Sequence, residues 1–297
     1  MITDDEFELA LREIDEELKR DGIPPHGRGM NALIKFGERF RLSMPFNKPQ
    51  PGVPPEVAVN WSHTERIFRW FEDVYGERNK FDPSAGRKVA VLANGDMWEI
   101  RLPMIWGRLI PVFEKNLTLS RPIISTVPRP HNISNSITSI TDRRLQQFNE
   151  DDTNEVYGHF VVGLEVCEAL DRFRKSHPLF TEAQSDMATA VAMLTAQSPN
   201  YGQSRWASLQ FAEKFMKGLI HVIGNGDPNQ GHRVRRLHNE LVKSIRDMNF
   251  LHLIDDIECD AAVRYGEVPS TRAQAYAAHK ASLLLVRALV SVKYSQG

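Results

Sequence analysis

The residues with most chemistry stand in one run, Gly231-His232-Arg233-Val234-Arg235-Arg236-Leu237-His238. Imidazole changes protonation near neutral pH, so a histidine there can take or give a proton. A guanidinium keeps its charge and grips a phosphate with two parallel N–H donors. Such a run suits a phosphate-bearing ligand, and spacing decides which groups act together. In a regular helix Arg233 and His238 point about 140° apart. They converge only if Arg233 lies at the helix start or if two protomers share them across an interface. His232 with Arg235 or Arg236, and Arg235 with His238, share faces at three- and four-residue spacings. The plain alternative is a solvated basic face with His232 near the N-cap. Asp255, Asp256, Glu258 and Asp260 just downstream can pair with the arginines inside the fold.

Two helices must hold this run. After the Pro199-Asn200-Tyr201-Gly202 turn, Gln203 or Ser204 begins the first. Trp206, Leu209, Ala212, Phe215, Met216, Leu219, Ile220 and Ile223 then recur at three- and four-residue spacings. Phe211 and Val222 widen that stripe, which places most of the helix inside a bundle. Glu213 and Lys217 lie one turn apart on its polar edge. Gly224 ends it, and Asn225-Gly226-Asp227-Pro228 forbids continuation. The basic helix follows on a narrow seam of Val234, Leu237, Leu241 and Ile245, with His232, Arg233, Arg235, Arg236 and His238 expected off the seam.

This order of features resembles the HEPN domains (higher eukaryotes and prokaryotes nucleotide-binding). The matching parts are a helix with Ala212-Glu213-Lys214 and then Lys217, a turn, a helix opening on Gly231-His232, and Arg264-Tyr265 before a last helix over 271–294. The resemblance covers residues 183–294. It implies a helical bundle, usually a homodimer formed through that bundle, and metal-independent RNA cleavage of the prokaryotic defence or toxin type. Arg233 and His238 are then the catalytic pair. The imidazole takes or orients the proton of a ribose 2′-hydroxyl, and the guanidinium clamps the scissile phosphate. His232, Arg235, Arg236, Arg264 and Tyr265 are the expected substrate contacts, although Arg264 and Tyr265 equally suit packing. No metal or cofactor is implied. The chain departs from the family in having Val234 after the arginine, where a polar residue such as Asn or Asp is frequent.

Composition bounds the alternatives. The 297 residues carry a net charge of −1 with 41% apolar and 25% charged residues, an ordinary globular profile. That charge argues against coating nucleic acid in bulk and leaves room for a local basic patch. Cys167 and Cys259 are the only cysteines and read as two buried thiols in a reducing cytosol. The acidic start MITDDEFELA lacks a signal core. The longest apolar run, 281–292, is interrupted by Arg287 and is too short to span a bilayer, so a cytoplasmic protein is expected. Phosphate-loop, dinucleotide, metalloprotease and nucleophile-elbow motifs are absent. His26, His63, His131 and His159 lack ligand spacing and read as structural or surface residues.

The remaining chain reads as an α+β domain over 1–127, a linker over 128–154 and an all-α up-and-down bundle over 155–297, mostly α in total. Helices are expected over 4–20, over 31–42 and from a capping box at Ser62-His63-Thr64-Glu65. Asn94-Gly95 between β-like runs over 87–93 and 97–102 signals a hairpin. Further strands are expected over 105–113 and 117–126. The 128–154 stretch is rich in Pro, Asn, Ser, Thr and Asp. In the last helix Ala273, Tyr276, Ala277, Leu284 and Val290 are the expected core positions. Two other functional readings stand beside the nuclease. One is a non-catalytic nucleotide-, RNA- or protein-binding module. The other is a dimerisation scaffold whose α+β half, with Trp61, Trp70, Trp98 and Trp106, holds the function.

Overall fold

Thr3 and Glu6 cap one another at the start of α1 (Asp4–Arg20), whose first turn is acidic and whose last is basic, in keeping with the helix dipole. Phe7, Leu11, Ile14 and Leu18 are buried, as their spacing predicts. Helix α2 (Pro25–Phe40) begins six residues before the expected start at 31, and α3 (Pro55–Tyr75) begins seven residues before the expected capping box. In both, a proline sits in the first turn, where its missing N–H costs nothing. The Ser62 hydroxyl donates to the Val59 carbonyl within the helix instead of capping it. The computed structural model describes residues 2–50, 52–80, 86–105, 108–116, 129–224, 227–229, 231, 233–243 and 250–291. The chain is mostly α-helical with small β elements, and it divides into two compact units, Met1–Asp82 and Pro83–Gly297. The three helices above make the first unit, around Phe7, Leu11, Phe36, Ile67 and Phe71.

In the second unit β1 (Lys88–Ala93) pairs antiparallel with β2 (Asp96–Arg101). Asn94 and Gly95 both take positive φ, 47° and 78°, as a tight two-residue hairpin turn demands. The strands β3 (Leu109–Val112) and β4 (Arg129–Asn132) pair in parallel. The expected 105–113 strand is thus shorter, and the strand expected over 117–126 lies outside the described residues. Next come α4 (Asp142–Leu145), α5 (Glu150–Phe173), α6 (Leu179–Thr195), α7 (Tyr201–Ile223), α8 (Val234–Val242), α9 (Leu251–Ile257), α10 (Ala262–Tyr265) and α11 (Arg272–Ser291).

The hairpin belongs to this helical unit, which differs from its expected grouping with residues 1–127. Strand β1 is covered on both faces. Val89 and Val91 join the main core, while Ala90 packs with Val191, Leu194 and Ala275. Gly163 lets α5 lie flat on the hairpin, because a Cβ there would stand 2.8 Å from side-chain carbons of Leu102 and Val89. The described part of the stretch expected as a linker, residues 129–154, sends several side chains into the core. Its sparse apolar residues Ile133, Ile137, Ile140, Leu145 and Phe148 are buried. The Asn132 side chain accepts from the Glu114 N–H at 2.9 Å and donates to the Asn116 carbonyl at 3.0 Å, tying this stretch to the residues just after β3. In α11 the buried set is Ala275, Ala278, His279, Leu283, Leu285, Val286 and Leu289. Of the five positions expected in that core, Ala273, in the first turn, is exposed, and Tyr276, Ala277, Leu284 and Val290 are half-buried.

Candidate functional site

Asn200 caps α7, its side chain accepting from the Gln203 N–H at 3.0 Å. The helix ends at Gly224, in the left-handed region at φ 70°. Among the residues of the resemblance, Glu213 is 3% exposed and holds Lys217 at 2.8 Å and Gln210 at 2.9 Å. Lys214 reaches across to Glu182 at 3.2 Å and Asp186 at 2.8 Å on α6. These charges tie α7 to α6.

Arg233 is the N-cap residue of α8, with extended φ of −100° and an exposed side chain. Arg236 is exposed as well. Neither guanidinium has a carboxylate partner among the described residues. His232 lies outside the described residues.

His238 lies on the buried seam, not off it. It follows Val234 by four positions and precedes Leu241 by three, so the helix turns it inward to 4% exposure. Its Nε2 accepts the Phe250 N–H at 3.4 Å, and the rings meet edge to face with centroids 6.4 Å apart. Burial lowers its pKa below the usual histidine value and outweighs the contact with Asn239, while the Arg235 charge acts in the same direction as burial. The imidazole is therefore neutral at pH 7. Arg235 is held by the acidic run. Its backbone N–H donates to Glu258 at 2.9 Å, and its guanidinium pairs with Asp255 and, at 3.7 Å, with Glu258. Arg264 lies over the Tyr265 ring at 5.7 Å, and Gln203 on α7 donates to the Arg264 carbonyl at 3.0 Å. No hydrogen bond or ion pair joins Arg264 or Tyr265 to α8 among the described residues. The structure thus leaves Arg233 and Arg236 facing water, turns His238 to the core and neutralises Arg235.

A second cluster joins α5 to α11, and it includes His159. The Tyr276 hydroxyl stands 2.8 Å from Glu155 Oε1 and 3.1 Å from His159 Nε2. Lys280 donates to the same carboxylate oxygen at 2.5 Å. His159 Nδ1 lies 2.9 Å from the Glu155 carbonyl, which can only accept, so Nδ1 carries a proton. Burial lowers the His159 pKa, which leaves Nε2 an acceptor. The one hydroxyl proton of Tyr276 then faces two acceptors. Burial pushes the Tyr276 phenol up, with the Glu155 contact adding to it. Burial also opposes ionisation of Glu155, but Lys280 and Tyr276 outweigh it and hold the carboxyl below its usual range. A hollow of about 120 Å3 opens beside the cluster, bounded by Gly158, Val162 and Leu284. The sequence carried a signal in two four-residue spacings, Glu155 to His159 and Tyr276 to Lys280. It gains meaning only when α5 and α11 are known to be neighbours.

Among the described residues no group of three or more His, Cys, Asp or Glu side chains could hold a metal ion, and no helix is long and apolar enough to cross a membrane. Comparison with family models, curated proteins and solved structures finds no match.

Proposed function

We propose that the helical unit is a HEPN-type binding module that holds a phosphate-bearing ligand, RNA or a nucleotide, without cutting it. The observation that carries this reading is the pair Arg233 and Arg236. They are three residues apart at the start of α8, both exposed, and neither is answered by a carboxylate among the described residues. Backbone N–H groups at a helix start add favourable potential for an anion. His238 supports binding over cleavage, because its Nε2 is taken by the Phe250 amide and its ring is packed. A general base needs hydrogen-bond reach of the proton it removes.

The test is titration of labelled single-stranded RNA by fluorescence anisotropy as salt rises. Binding falls with salt, and Arg233→Ala/Arg236→Ala reduces the slope of log K against log salt by about 1.4, two contacts at about 0.7 each. Arg143→Ala, an exposed arginine on α4, serves as the control and changes little. Equal affinity and slope in wild type and double variant would remove the reading. The second reading is the metal-independent endoribonuclease, in prokaryotic defence or toxin action. The place of Arg233 at the very start of α8 favours it, since that is the arrangement within one chain in which Arg233 and His238 could converge. RNA cut by the wild type without divalent metal, and left intact by His238→Ala, would put cleavage in place of binding.

A further inference from the structure

Helix α2 carries apolar side chains on two faces, and only one of them is used by the core of its own unit. Ala32, Leu33 and Phe36 point into the three-helix core. Met30 and Ile34, one turn apart on another face, are 37% and 56% exposed. Phe46, in the segment after the helix, is 56% exposed beside them. Together with Met44 they line a groove of about 580 Å3. Gly37 shapes its floor, because a Cβ there would stand 3.0 Å from the Leu42 carbonyl and from Met44. A contiguous exposed apolar surface of this kind marks a place of contact.

The charges at its rim say what the contact is. Glu38 and Arg41 lie at the edge of the groove three residues apart, and neither has an ion-pair partner among the described residues. On the other side of α2, Lys35 is paired with Glu17 and Arg39 with Glu13. Arg41 also stands in the left-handed region at φ 56°, where glycine would close the helix with less strain. One carboxylate and one guanidinium side by side make a surface its own electrostatic complement under two-fold rotation. An acidic or basic peptide would meet one of the two charges in opposition.

We propose that this face of α2 is where two copies of the chain meet. Glu38 of each copy pairs with Arg41 of the other, and the apolar groove is covered by the same groove of its partner. The contact uses residues of the first compact unit, whereas Arg233 and Arg236 belong to the second, so Arg233→Ala/Arg236→Ala leaves the mass unchanged whatever it does to RNA.

The test is light scattering of the full-length protein across the micromolar range, with circular dichroism on every variant. Wild type gives twice the 33.9 kDa of one chain. Ile34→Asp gives the single-chain mass with unchanged helicity. Glu38→Arg and Arg41→Glu, each alone, weaken association by about tenfold or more through like-charge contacts, and the two together restore it. A wild type of single-chain mass would overturn the proposal and leave the groove to a different partner. So would a dimer indifferent to Ile34→Asp, which would place the interface elsewhere. A double charge swap that fails to restore association would also overturn it, because it would mean Glu38 and Arg41 do not face one another.

Discussion

His279 makes acid a specific solvent for the helical unit. It is wholly buried on α11, where its Nε2 accepts the Ala90 N–H of β1 at 3.0 Å and its Nδ1 has no partner. Burial, with the nearby His159 adding to it, pushes the imidazole from the ordinary 6.5 down to about 3. The folded value lies below the unfolded one, so the unfolded chain binds the proton first. Stability is therefore full above about 6.5 and falls with pH until about 3. At pH 5 the unfolded imidazole is nearly all charged while the folded one stays neutral. The span of about 1.5 pH units at 1.36 kcal/mol each gives a loss of about 2 kcal/mol from His279 alone. The half-buried His131 and the buried His159 and His238 have pKa values lowered by desolvation and add losses of the same sign. Comparison with His279→Gln isolates the one group, since an amide oxygen can still accept from Ala90 but does not titrate. Urea unfolding of the larger unit, followed by circular dichroism at pH 7 and pH 5, should show the wild type losing about 2 kcal/mol more than the variant. Parallel losses in the two proteins would refute the assignment of a neutral, buried imidazole at this position.

Two further substitutions probe the same unit. Tyr276→Phe removes the hydroxyl that Glu155 and His159 share, and should cost about 1–3 kcal/mol in urea unfolding, because a buried acceptor is left without its donor. Gly163→Ala drives a methyl into Leu102 and Val89, both fully buried, and should lower stability by about 1–3 kcal/mol in the same assay.

The parts of the fold that were legible in the sequence are those set by local rules. The stripe from Leu209 to Ile220 is buried along α7, and Asn94-Gly95 makes the turn that its two positive φ values require. The misplaced parts depend on what packs where. Residues 128–154 look like a linker by composition, yet five apolar residues spaced through them enter the core. Val89-Ala90-Val91 reads as a strand, but no local signal says that helices cover both of its faces. Trp61 and Trp70 fall in one compact unit and Trp98 in the other, a division that composition does not announce. Trp106 lies outside the described residues.

The candidate site divides along the same line. That Asp255 and Glu258 would take Arg235 was visible as soon as opposite charges stood on adjoining helices. That His238 belongs to the apolar seam was also computable, from its four-residue step after Val234 and three-residue step before Leu241. Motif spacing hid it by drawing the eye from Arg233 to His238 as a pair, when helix geometry separates them. The same geometry groups Arg233 with Arg236, which a motif search does not seek. Charge that stays in water on one helical face is what a phosphate can reach. A histidine whose lone pair is spent on a backbone amide holds the helix in place. The proposed binding without cleavage rests on that division, and the RNA titration with its two arginine changes tests it.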